Sequence, residues 1–158
     1  MDNQPQTDSP QSIPTLEPIP TTDVPQPSPE AQKSGPPKRL LLVEDDDALA
    51  NVYITRLQAE GFDVRHVANG EEALAAALSY HPDLVILDVM MPKVSGFDVL
   101  DILRNTPETA DLKIVMLTAL SQESDKQRAE SLGVNDYLVK SQVVIADVIE
   151  RIKHHLGV

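Results

Sequence analysis

The chain predicts an α/β fold, a five-stranded parallel sheet in the order 2-1-3-4-5 with helices on both faces. Three observations lead there. Short aliphatic runs alternate with helical patterns five times, and the connections between them are short. Runs such as Leu84-Val85-Ile86-Leu87 are apolar at every position, as strands covered on both faces require. The apolar residues are aliphatic, with no Trp and only 3% aromatics.

The elements follow in order from Lys38. Arg39 to Val43 is an aliphatic run that ends in Glu44-Asp45-Asp46-Asp47. Leu49, Val52, Tyr53 and Leu57 recur at helical spacing, and Gly61 stops that helix. Phe62 to Ala68 reads as the second strand, Asn69-Gly70 as a turn, and Glu71 to Tyr80 as an Ala-rich helix. Asp83 to Asp88 is the third strand, Ser95 to Asn105 the third helix, and Lys113 to Thr118 the fourth strand. Ser121 to Leu132 is a polar helix with Gly133 past its end, and Asn135 to Val139 is the last strand. Ile145, Val148, Ile149, Ile152 and Leu156 then form one stripe of the final helix. This is a flavodoxin-like (βα)5 arrangement, in which ligands sit at the carboxyl ends of strands one and three.

Residues 1–37 differ in kind. Ten of the 13 prolines lie there, among Gln, Ser and Thr. Such a segment buries too little apolar surface to offset its ordering entropy. It is expected to be a disordered, partly polyproline-like tail, solvated or serving as a Pro-rich docking motif, ahead of one folded domain over 38–158. The absence of cysteine excludes disulfides and thiolate chemistry. The N-terminus lacks a signal-peptide pattern, and no apolar run approaches the roughly 20 residues of a membrane helix. A cytoplasmic protein without membrane insertion is expected. The net charge of −12 argues against a nucleic-acid surface, which needs clustered Lys and Arg. With the last helix ending the sequence, no direct DNA binding is expected.

The informative residues stand at strand ends. Glu44 and Asp45 follow strand one and Asp88 closes strand three, so the topology gathers three carboxylates in one crevice. Like charges about 4 Å apart repel by roughly 4 kcal/mol at an effective dielectric near 20. A hard dication with oxygen ligands relieves that repulsion, and Mg2+ suits few carboxylates plus waters and a phosphate oxygen. Asp46 and Asp47 need no such role, because acids favour a helix start. Taken singly, Asp88 reads equally as a loop cap, Thr118 as a residue before a helix cap, and Lys140 as a surface lysine. Together, Thr118 and Lys140 add a hydroxyl and an ammonium to the crevice, as a developing phosphoryl charge would need.

From Lys38 onward the sequence resembles the response-regulator receiver family of two-component signalling, especially its chemotaxis-regulator-like, single-domain members. The resemblance lies in Leu-Leu-Leu-Val-Glu-Asp-Asp, Leu-Val-Ile-Leu-Asp-Val-Met-Met-Pro, Gly-Phe-Asp, Ile-Val-Met-Leu-Thr-Ala and Asp-Tyr-Leu-Val-Lys. It implies that Asp88 is the phosphoryl acceptor, with Asp45 a direct and Glu44 a water-mediated magnesium ligand. The Met90 carbonyl would complete the coordination, Thr118 would bond the phosphoryl group, Lys140 would pair with it, and small Ala119 would leave it room. The implied partners are a sensor histidine kinase or phosphotransfer protein and a downstream protein. The chain would be no enzyme beyond its own phosphorylation and dephosphorylation. Met90 and Leu120 hold positions that tune hydrolysis in the family, and both are apolar, which implies a long-lived phosphorylated state. Tyr137 occupies the place of the family's switch aromatic, though it reads also as a core aromatic.

One position departs from the pattern: Ser141 stands where the family has a proline after the lysine. A cis bond without proline costs roughly 3 to 4 kcal/mol, so Lys140–Ser141 is expected to be trans, with a rearranged loop. This departure supports an alternative, a phosphorylation-independent interaction module on the same fold. An Asp-nucleophile phosphotransferase would want an acid at Met90, and a flavin carrier a Ser/Thr/Gly-rich loop where Glu44 to Asp47 stand. The histidines, His66, His81, His154 and His155, read as solvated surface.

Overall fold

The computed structural model describes residues 35–158; the expected tail falls outside the described residues up to residue 34. Five strands and five helices alternate along the described chain: β1 (Arg39–Val43), α1 (Asp47–Ala59), β2 (Asp63–Val67), α2 (Gly70–Ser79), β3 (Leu84–Leu87), α3 (Gly96–Arg104), β4 (Lys113–Thr118), α4 (Glu123–Ser131), β5 (Asp136–Val139) and α5 (Ile145–Leu156). The strands form one sheet in the order β2-β1-β3-β4-β5, parallel at every pairing. The predicted topology is therefore the observed one.

Alternation along the inner strands builds two cores. Leu41, Val43, Val85, Leu87, Ile114 and Met116 face a cluster completed by α2 and α3. Leu40, Leu42, Leu84, Ile86, Val115 and Leu117 face the other, with Tyr53 and Leu57 of α1 and Val148 and Ile152 of α5. Each fully buried aliphatic side chain contributes roughly 1.5 to 3 kcal/mol by leaving water, and strands with no polar face collect that contribution on both sides of the sheet.

Most boundaries shift by a single residue from the sequence reading. The α1 pattern does differ: Ala50, Tyr53 and Leu57 are buried, while Val52, which shares the helical spacing of Tyr53 and Leu57, is 56% exposed. Apolar residues flank both sides of this short helix, so spacing alone could not choose which side turns inward.

The helix starts are set by local hydrogen bonds. Asp46 accepts from the Leu49 N–H (3.1 Å), Asn69 from Glu72 (2.9 Å) and Ser95 from Phe97 (3.1 Å), satisfying amides that a helix leaves unpaired. These caps launch α1, α2 and α3 from the carboxyl edge of the sheet. Residue Arg104 ties α3 to its surroundings: its guanidinium donates to the carbonyls of Gly133 (2.8 Å), Ala110 (3.1 Å) and Leu112 (2.6 Å), and to Asn135 Oδ1 (2.8 Å).

Candidate functional site

The site begins where β1 and β3 stop. Val43 pairs with Leu87, and the Asp88 N–H donates to the Val43 carbonyl (3.2 Å). Glu44, Asp45 and Asp88 therefore leave adjacent strand ends, and a carboxylate oxygen from each lies within 4.8 Å of the others. Glu44 is 3% and Asp88 5% exposed, whereas Asp45 is open to solvent. The Met90 N–H donates to Asp88 Oδ1 (3.1 Å), leaving Oδ2 directed at the crevice.

Lys140 reaches this cluster from the far side of β4. Its main-chain N–H donates to the Thr118 carbonyl (2.8 Å), and its ammonium bonds Glu44 Oε2 at 2.7 Å and Asp88 Oδ2 at 3.1 Å. Among the described residues no peptide bond is cis, so Lys140–Ser141 is trans as predicted, and the lysine reaches the crevice nonetheless. The shorter of its two bonds goes to Glu44 rather than to Asp88.

One ammonium does not balance three carboxylates. Burial pushes the Glu44 carboxyl above its ordinary value; the Lys140 hydrogen bond opposes this, the Asp88 charge reinforces it, and the net direction is up. Burial pulls the Lys140 ammonium down, but its hydrogen bond to Glu44 and the Asp88 charge outweigh that, so its pKa is raised. Both directions have one cause, an excess of negative charge in a poorly hydrated crevice. A hard dication meets that need: the donors are all oxygens, closely spaced, with one carboxylate open to water.

Thr118 is fully buried, and its hydroxyl accepts from the Leu120 N–H (3.3 Å). Tyr137 is turned inward, 9% exposed, and its hydroxyl donates to the Leu120 carbonyl (2.9 Å). Burial raises the Tyr137 pKa. The Leu120 main chain thus joins the two residues. Ala119 is exposed beside the crevice, and the Met90 side chain is 56% exposed.

Sequence reasoning missed two neighbours of the site. Gly96, the first residue of α3, lies against the acceptor's own backbone: a Cβ there would stand 2.1 Å from the Asp88 carbonyl oxygen. The quoted Gly-Phe-Asp motif was its only signal. His66 reads from the sequence as half-exposed and solvated; it is half-buried, but its Nε2 bonds the Glu44 carbonyl (2.7 Å). His155 departs from that assignment as well, donating to Asp136 Oδ2 at 2.9 Å. Neither partner could be seen without the strand register and the packing of α5.

Comparison with known proteins agrees with this geometry. The family model described as the response regulator receiver domain matches residues 40–153. The regulator RpaA of Synechocystis is 41% identical over 102 residues, covering 65% of this chain and 42% of that protein. PhoB of Rhizobium meliloti, the phosphate regulon transcriptional regulatory protein, is 43% identical over 102 residues, covering 65% and 45%. The chain thus spans less than half the length of these curated relatives. A putative response regulator from Chloroflexus aurantiacus superposes with a TM-score of 0.72 at 37% identity, covering 77% of this chain and 99% of that one. The receiver domain of the sensor histidine kinase PA1611 from Pseudomonas aeruginosa, solved with magnesium in its active-site cleft, gives 0.70 at 26% identity over 77% and 99%.

These relatives correct one expectation. Acidity and the absence of clustered Lys and Arg imply no direct DNA binding, yet RpaA is by name a DNA-binding transcriptional regulator, of which this chain matches 42%. Net charge describes only the residues counted. DNA phosphates are contacted by whichever part of a protein clusters Lys and Arg, so the acidity of such a domain says nothing about DNA binding by a regulator that contains one. Among the described residues, no helix is long and apolar enough to cross a membrane.

Proposed function

The chain belongs to the response regulator receiver domain family, and from that premise we propose that it accepts a phosphoryl group on Asp88, in the presence of Mg2+, from a sensor histidine kinase or phosphotransfer protein. The observation that carries this reading is the convergence at the ends of β1, β3 and β5 of the Glu44, Asp45 and Asp88 carboxylates, within 4.8 Å of one another, with Lys140 bonded to Glu44 and Asp88.

Asp88 acts as the nucleophile. Its Oδ2 forms the new bond to phosphorus while the bond to the donor's nitrogen or oxygen breaks, and the donor leaves with that electron pair. The Met90 N–H holds the other oxygen, Oδ1, and fixes the direction of attack. Lys140 then has a phosphoryl oxygen to pair with, and Thr118 turns its hydroxyl from the Leu120 N–H toward the same group. Asp45 directly, Glu44 through water and the Met90 carbonyl would hold Mg2+, which when bound neutralises charge developing on the transferring group. The structural event that follows is the release of Leu120 by Thr118. Since Tyr137 bonds the same residue, it is the side chain placed to pass the change to a protein-interaction face at β5.

Incubation of the full chain with acetyl phosphate and MgCl2 is expected to add the mass of one phosphoryl group, and EDTA or Asp88→Asn is expected to prevent it. An unmodified wild-type mass would overturn the proposal; retention of the adduct in Asp88→Asn would move the acceptor elsewhere. The intact set also speaks against the alternative, an interaction module independent of phosphorylation, which needs none of these residues together.

The lifetime of the phosphorylated state depends on how well water is oriented for attack. The side chains of Met90 and Leu120 carry no group that could orient that water. Met90→Asn and Leu120→Glu are each expected to shorten the lifetime severalfold, as measured by phosphate release. Unchanged release in both would show that these positions do not govern the reaction.

A further inference from the structure

Glu44 is held at four points. Its N–H donates to the Val67 carbonyl at 3.1 Å, Oε1 accepts from the Asp46 N–H at 3.2 Å and Oε2 from Lys140. The fourth is its carbonyl, beyond the last β1–β2 pair, where the ladder supplies no partner. Among the described residues the one hydrogen bond to that carbonyl comes from His66 Nε2, at 2.7 Å. A carbonyl oxygen only accepts, so Nε2 carries the proton whether the ring is neutral or charged.

We propose that His66 is a positioning residue for the cation pocket, holding through its Nε2–H the peptide plane from which Glu44 and Asp45 project. The Glu44 carbonyl and the Asp45 nitrogen share one rigid peptide unit. Without the imidazole, the carbonyl of a residue only 3% exposed loses its partner and turns toward water. The plane rotates with it and carries the Asp45 carboxylate out of the geometry that places it within 4.8 Å of its neighbours. β2 contributes no carboxylate to the pocket, yet two of its consecutive residues, His66 and Val67, fasten the one strand end that supplies two.

This inference rests on the cation-dependent acceptor proposed above. Titration calorimetry of MgCl2 into the full chain separates the two. His66→Leu is expected to bind Mg2+ about tenfold more weakly than wild type, the loss typical of removing a partner that orients a metal ligand. His66→Gln, whose amide N–H reaches about as far as Nε2, is expected to stay within about threefold of wild type. Thermal unfolding without magnesium checks that both variants are folded. Wild-type affinity in His66→Leu overturns the role of His66 alone, as does a His66→Gln that binds no better than His66→Leu. No saturable binding to the wild type overturns the cation site and the inference with it. Imidazole 15N shifts of the wild type above neutral pH add an arm that needs no variant. The Nε2–H tautomer is expected, and an Nδ1–H tautomer sinks the proposal.

Discussion

Gly96→Ala is expected to lower the stability of the domain by at least about 3 kcal/mol, near the top of the range for forcing an atom into a packed site. The added Cβ would lie 2.1 Å from the Asp88 carbonyl oxygen, 2.7 Å from Val89 Cα and 2.8 Å from the Asp88 carbonyl carbon. All three are backbone atoms, so no side chain can rotate away. Either α3 backs off, losing the Gly96 N–H bond to the Val89 carbonyl (2.9 Å) and the Ser95 cap, or the segment bearing Asp88 moves. Both options cost packing, because Phe97, Val99 and Leu100 hold the helix in the core. At roughly 4 °C per kcal/mol for a domain of this size, the melting temperature should drop by about 12 °C. Gly61→Ala is the control. Its φ of +93° strains any L-residue, but nothing lies within 4 Å of the new atom, so only about 1 to 2 kcal/mol should be lost. Phosphoryl uptake measured well below both melting temperatures should fall in Gly96→Ala and persist in Gly61→Ala. A Gly96→Ala domain that melts with the wild type would show that the close approach is not rigid.

The contrast between these glycines marks where sequence reasoning stops. Strands β1, β3 and β4 were legible because both faces are buried, which leaves short, bulky aliphatic runs rich in Val, Ile and Leu, whereas the apolar run inside α2 is mostly Ala. Their order then placed Glu44, Asp45 and Asp88 together without any coordinate, since a strand end is a fixed point of a parallel sheet. Residues whose role depends on a neighbour far along the chain were not legible. His66 gains its partner only through the β1–β2 register, and Arg104 gains Gly133 and Asn135 only once α4 has brought the chain back. Gly96 is a case of a different kind: its spacing was visible, but the backbone that makes a side chain impossible there was not. The division of Lys140 between Glu44 and Asp88 was likewise hidden, because it depends on distances that differ by less than half an ångström.

That division leads to the second large effect. Lys140→Met is expected to destabilise the magnesium-free domain by about 3 kcal/mol at pH 8, the lower part of the range for removing one partner of a buried ion pair. Glu44 and Asp88, with side chains only 4% and 6% exposed, would be left facing each other. The pH dependence identifies the cause. Lys140 has a raised pKa, so its contribution is fully present below the ordinary lysine value and is lost only as pH rises through the folded one. The Glu44 pKa is also raised, which makes its contribution greatest below its ordinary value of 4.5 and diminishing as pH climbs through the folded value. In the variant the two influences of Lys140 that restrain Glu44 disappear, so that decline becomes larger and extends to higher pH. Wild type and Lys140→Met should therefore differ little near pH 4.5 and diverge steadily toward pH 8. Magnesium should narrow the gap, because a dication takes over the neutralising role and each tenfold excess over its Kd adds roughly 1.4 kcal/mol to the folded state. Thermal unfolding at several pH values, with and without MgCl2, reads all of this from two proteins. Parallel stability curves across the pH range would mean that Lys140 stabilises through its packing rather than its charge, and that the crevice tolerates its carboxylates without a cation.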